Sequence, residues 1–270
     1  MILRHKVLDL EITFYTAIGS HLLGERSGWF AERVKNAKAV LIDNGVFALL
    51  RDNRRVGPRE LVKYAVKNIL SVLELVRKHD LDIYIVVPDY PFDKRLNHEC
   101  YRVFKQHYSH LAKDYHLVYV LHGYWEAILD GVDVDLVAIP YNTLSDCPIK
   151  SLIGRKSFTL DEIQSKYVVA RTIEHCKQYG YHKVHLLGPT GKTLRTLFKP
   201  VDKPFMTLDG IRISNDFMQH IVSFDTTCWH KDPDAKPCQR KILIEDRSKE
   251  PEWVQRWLSK TVQWFEIEKW

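Results

Sequence analysis

The stretch Ile83-Tyr84-Ile85-Val86-Val87-Pro88-Asp89-Tyr90 decides the fold. Its apolar residues are consecutive rather than alternating, as in a strand buried on both faces of a parallel sheet. A proline ends the run, and an acid follows at once. The same unit, a short apolar run closed by a polar or Gly/Pro corner and followed by a longer amphipathic stretch, recurs along the chain as a βα rhythm. It predicts strands at Ile12–Ile18, Ala39–Asp43, Ile83–Pro88, Leu117–His122, Leu136–Pro140, Lys183–Leu187, Phe205–Leu208 and Ile221–Phe224.

Helices are expected between them. Pro58–Lys78 opens with proline and carries Leu61, Ala65, Ile69, Val72 and Val76 near a helical period. Lys94–Ala112 has Leu96, Val103 and Leu111 on one face, and Leu160–Tyr179 has Thr159 as a candidate cap. After residue 180 the spacing shortens, and Lys203–Asn215 also reads as a hairpin-like excursion. Eight strands favour an irregular (β/α)8 TIM-type barrel over an open doubly wound sheet, with residues 1–247 as the catalytic domain. Residues 248–270 carry Trp253, Trp257, Trp264, Phe265 and Trp270, and predict an aromatic-rich C-terminal helix packed on the barrel.

Composition sets the limits. The 270 residues, 45% of them hydrophobic, can bury one large core, and a net charge of +6 suits a polyanionic partner without demanding one. Five scattered cysteines do not form a secreted disulfide framework. The opening Met1-Ile2-Leu3-Arg4-His5-Lys6-Val7 places charges where a signal peptide needs apolar residues, and no run reaches the ~18 apolar residues of a membrane span. A cytoplasmic protein without a membrane partner is therefore expected.

In a barrel the chemistry gathers at the C-terminal ends of the strands. Here those ends carry Asp43-Asn44-Gly45, Asp89, His122-Gly123, Gly188 and Asp225. One such acid can equally cap a helix or close an Asx turn. Three on one rim are harder to assign to capping. Clustered carboxylates raise one another's pKa, which lets one act as a general acid while another stays ionised.

Ile42-Asp43-Asn44-Gly45-Val46-Phe47, Pro88-Asp89-Tyr90-Pro91, Val120-Leu121-His122-Gly123, Val137-Ala138-Ile139, Val184-His185-Leu186-Leu187-Gly188 and Ser223-Phe224-Asp225-Thr226-Thr227 resemble, in order and spacing, the motifs of the tRNA-guanine transglycosylase superfamily. The likeness spans about residues 39 to 230, and is nearest to compact phage or viral relatives that modify DNA. It implies replacement of guanine in nucleic acid, DNA in preference to tRNA, by a free 7-deazaguanine base through a covalent sugar intermediate. By this resemblance Asp225 is the nucleophile and Asp43 the acid/base. Asp89 recognises the base, with Asn44, Gly45, Phe47, His122, Gly123, Ile139 and Gly188 around it. Asn44 stands where Ser is usual, His122 where Gln is usual and Pro140 where Gly is usual, all changes that touch base recognition.

The resemblance also implies a basic face, for which Arg171, Lys192, Arg195 and Lys199 are the candidates. The family's zinc motif is missing in its usual form. Cys228, His230 and Cys238 could hold a structural zinc with a fourth ligand from elsewhere, although no cofactor is required for the reaction. A barrel hydrolase or lyase of small metabolites, or a non-catalytic nucleic-acid-binding barrel, are the alternatives that the fold alone leaves open.

Overall fold

The computed structural model describes residues 2–14, 17–19, 37, 39–51, 55–141, 147–149, 162–225 and 263–269. Twelve strands are found among them: β1 (Ile2–His5), β2 (Glu11–Phe14), β3 (Ala17–Gly19), β4 (Ala39–Asp43), β5 (Asp82–Val86), β6 (His116–Val120), β7 (Leu136–Pro140), β8 (Val184–Leu187), β9 (Phe205–Met206), β10 (Arg212–Ile213), β11 (Ile221–Phe224) and β12 (Phe265–Lys269). The α-helices are α1 (Val46–Arg51), α2 (Pro58–Val76), α3 (Lys94–Tyr108), α4 (Glu162–Gln178) and α5 (Gly191–Leu197).

Ten strands form one sheet in the order β12-β1-β2-β11-β8-β7-β6-β5-β4-β3, parallel from β2 to β3 and antiparallel where β1 meets β2 and β12. β2 and β3 lie seven strand spacings apart in that order, about 34 Å in a flat sheet. Yet only two residues separate Phe14 from Ala17, a reach of about 11 Å. The sheet therefore curls strongly and has a concave face.

Strand parity assigns the two faces. Val40 and Ile42 of β4, Ile83 and Ile85 of β5, Leu117 and Tyr119 of β6, and Val137 and Ile139 of β7 pack with the helices in the main core. The opposite parity, Leu41, Val86, Val118, Val120, Leu136 and Ala138, forms a separate apolar cluster on the concave side. α2 supplies the largest helical face, from Leu61 to Val76, and starts with Pro58 in the first turn, where its missing N–H costs nothing. α3 is capped by Asp93, whose carboxylate accepts the backbone N–H of Arg95 and Leu96.

Three expectations are corrected. The run Ile12–Ile18 is two strands, each pairing with a different end of the parallel set. Phe205–Leu208 is not an eighth barrel strand: Phe205 and Met206 pair antiparallel with Arg212 and Ile213 in a separate hairpin. Pro200 and Pro204 flank the start of that excursion, and apolar Phe205, Met206 and Leu208 remain exposed, so the segment lacks the burial that rewards a central strand. Finally, Phe265–Lys269, expected within a terminal helix, is a strand whose register against β1 runs from Ile2↔Lys269 to His5↔Phe265. Residues 248–262 of that tail lie outside the described residues. Among the described residues no helix is long and apolar enough to cross a membrane.

Candidate active site

Asp43 is the last residue of β4 and has the parity of Leu41, so the chain directs it to the concave side above the inner apolar cluster. His122 stands in the same relation to Val120, just beyond β6. Asp89 follows β5 and Asp225 follows β11, so all three acids leave the same end of the parallel sheet. They also feel one another. Burial pushes the Asp43 carboxyl up to about 7, the Asp89 charge adds to this, the Gly45 N–H opposes it, and Asp225 contributes a further upward push. β4 and β11 are five spacings apart in the sheet, so this coupling is another consequence of the curl.

Two clusters hold the acids in place. In the first, Asp89 Oδ2 accepts from His122 Nε2 at 2.6 Å and Oδ1 accepts from Asn44 Nδ2 at 2.7 Å. Asn44 is wholly buried; its amide also donates to the Val87 carbonyl at 2.9 Å, and its Oδ1 accepts the Val46 N–H at 3.0 Å. Every polar group of that side chain is thus engaged within the protein. Asn44, expected to touch the base, is bonded to Asp89 and sets the angle of that carboxylate. Asp89 keeps two lone-pair positions beyond those two bonds, enough to accept from a ligand.

In the second cluster, Asp225 Oδ1 accepts from His185 Nε2 at 2.9 Å and from the Gly188 backbone N–H at 3.0 Å. The other nitrogen of His185 lies 2.8 Å from Ser223 Oγ, which fixes the ring on both sides. A ring that donates through Nε2 accepts the serine hydroxyl at Nδ1. Gly188 has φ 63°, a left-handed turn that suits glycine and aims its N–H at the carboxylate. Oδ2 of Asp225 has no hydrogen bond among the described residues.

The other sequence-derived candidates divide. Gly45 (φ 75°) closes the turn after Asp43, and its N–H approaches the Asp43 carboxylate at 3.4 Å. Phe47, on α1, is 47% exposed beside that turn. Gly123 has φ 86° and begins a 3-10 turn, Tyr124–Glu126; a Cβ there would lie 3.2 Å from Lys94 Cδ. Ile139, expected at the base, packs in the helix-facing core, with strand parity opposite to that of Ala138. Arg171 Nη1 is paired with Asp209 at 2.5 Å and with the Tyr167 hydroxyl, and its guanidinium lies over the Trp125 ring. Lys199 pairs with Glu162 at 3.1 Å, whereas Lys192 and Arg195 are exposed on α5. Cys228, His230 and Cys238 lie outside the described residues. Among the described residues no group of three or more His, Cys, Asp or Glu side chains is arranged to hold a metal.

Sequence reasoning missed the partners: His185 and Ser223 behind Asp225, and Asn97, which accepts the Tyr90 N–H through Oδ1 and donates to the Val120 carbonyl through Nδ2. A histidine at an interior position of an otherwise apolar strand, shortly before a glycine corner, was the available signal for His185.

These features define a mixed α/β protein with a rim of coupled acids and imidazoles on one end of a curled, mostly parallel sheet. No protein-family model, curated protein or solved structure matches the chain.

Proposed function

We propose that the chain is a base-exchange transglycosylase that replaces guanine in nucleic acid, DNA in preference to tRNA, with a 7-deazaguanine derivative. The observation that carries this reading is the difference between two coupled carboxylates. Asp225 is anchored through one oxygen and has no hydrogen bond to the other among the described residues, while the Asp43 carboxyl, at about 7, can hold a proton near neutrality. That is the division of labour a displacement at a sugar carbon needs.

In the first step Asp225 Oδ2 attacks the anomeric carbon from the face opposite the base. The carbon–nitrogen bond breaks, its electron pair stays on the base nitrogen, and protonated Asp43 delivers the proton. In the second step Asp43, now a carboxylate, removes the ring N–H proton of the incoming base. The freed nitrogen attacks the same carbon and expels Asp225, restoring both groups. Asp89 accepts from the ring N–H and exocyclic amine, and Phe47 offers an aromatic face. We infer an irregular barrel closed through residues 11–19, since β2 and β3 pair with its two ends, and a grip on the polyanion by Lys192 and Arg195.

The test is incubation with labelled guanine and either DNA or tRNA. Label should enter DNA, a denaturation-resistant protein–DNA adduct should form, and Asp225→Asn should remove both while the fold survives. Asp43→Asn should slow exchange roughly 10²–10⁴-fold. An adduct that persists in Asp225→Asn overturns the assignment of the nucleophile, and absence of label from both polymers overturns the activity.

A further inference from the structure

Phe92 is placed in a way that neither the core nor the acid rim accounts for. It is 53% exposed, has φ 82°, and its ring makes no contact with another ring among the described residues. A left-handed backbone is strained at a bulky residue, and here no burial offsets it. The loop around it is anchored on both sides. Pro91 is buried, the Tyr90 N–H is held by Asn97 at 2.9 Å, and Asp93 caps α3. Phe92 is therefore held out from an anchored loop three residues beyond Asp89. Phe47 is the comparable exposed phenylalanine beyond Asp43, on the adjacent strand β4.

The outer face of α3 continues from that loop. Arg95 and Arg102 are seven residues apart and so share a face. Arg102 and Lys105 line a surface groove of about 570 Å³ with Arg59 from the first turn of α2. Glu99 and Asp130 also line it, yet Arg59, Arg95 and Arg102 have no carboxylate partner among the described residues, and Lys105 has only a distant one, Asp133 at 3.7 Å.

Resting on the transglycosylase reading, we propose that Phe92, Arg95 and the Arg59–Arg102–Lys105 groove form a track for the polynucleotide strand that leaves the active site. The Phe92 ring stacks on the base next to the reacting nucleotide, and the cations take the phosphates that follow. A planar ring with an anionic tether matches an exposed aromatic followed by arginines that have no carboxylate partner among the described residues. One ring is too small a patch for a stable protein partner, which needs about 800 Å² on each side.

Binding is measured on Asp225→Asn protein, which removes chemistry from the readout, using a single-stranded oligonucleotide with 2-aminopurine beside the target guanine. Wild-type Phe92 should quench the probe. Phe92→Ala should lose the quench and weaken binding about tenfold, Phe92→Trp should retain both, and Phe92→Gly should melt no lower than the parent. Arg59→Glu/Arg102→Glu should weaken binding and reduce the slope of log affinity against log salt by about one for each phosphate that is no longer neutralised. Unchanged quenching and an unchanged slope overturn the track. Normal binding with no base exchange by the wild type overturns the proposed activity and leaves the track standing.

Discussion

Asp43 shows what one side chain contributes to both chemistry and stability. Its carboxyl is raised from 3.8 to about 7, chiefly by burial and then by Asp89. The folded protein thus binds a proton between those values that the unfolded chain does not. This group's contribution to stability is full below about pH 4 and is lost as the pH rises through 7. Asp43→Asn removes that loss. The variant should be more stable than the wild type at pH 8, by about 1–2 kcal/mol once residual solvent screening is allowed for, and the difference should shrink toward pH 4. Calorimetry across that range checks it, and an equal gap at both ends would show that the effect is packing rather than charge.

Among the elements, the contact between α4 and α5 depends on a lysine that an apolar-periodicity reading passes over. Lys166 is buried on α4, and its ammonium donates to the carbonyls of Thr196 at 2.6 Å, Leu197 at 3.0 Å and Lys199 at 2.8 Å. Those carbonyls are at the C-terminal end of α5, where intrahelical partners run out. A cation there also complements the helix dipole. Lys166→Met keeps the aliphatic volume but leaves the acceptors without that donor, so it should cost about 2–4 kcal/mol. Lys177→Met, which breaks only the Glu174 pair on the same helix, should stay within about 0.5 kcal/mol. Comparable losses in urea unfolding would remove the capping role from Lys166.

Across the whole molecule, His5 joins the two ends of the described chain. Its Nδ1 accepts the N–H of Val7 at 3.2 Å and Leu8 at 3.0 Å, so Nε2 carries the proton and donates to the Phe198 carbonyl at 2.8 Å. The ring packs against Trp264 and Phe265, which brings the C-terminal strand onto β1. Burial lowers its pKa below 6.5. A lowered pKa means that stability is present above 6.5 and is lost as the pH falls toward the folded-state value. Wild type should therefore lose more melting temperature than His5→Gln between pH 7 and pH 5. Parallel curves for the two proteins would exclude His5 as the titrating link.

Local signals were enough for much of this protein. Consecutive apolar residues specified β4 through β8, proline and the periodic leucines, isoleucines and valines specified α2, and the polar corners located Asp43, Asp89 and Asp225 at strand ends, because each of these is set by neighbours within a few residues. Tertiary structure decided the rest. Whether Phe205–Met206 joined the large sheet depended on burial that the excursion lacks, and whether Phe265–Lys269 became strand or helix depended on β1, more than 250 positions away. The same holds for roles. Asn44 holds Asp89 because Val87 and Asp89 come to it, and one oxygen of Asp225 is taken because His185 and Gly188, some 40 residues earlier, donate to it, while the other has no hydrogen bond among the described residues. Hydrogen bonds and shared electrostatic fields join groups by distance in space: strand pairing brings Asn44 to Asp89 and His185 to Asp225, and the curl of the sheet brings Asp225 within reach of Asp43.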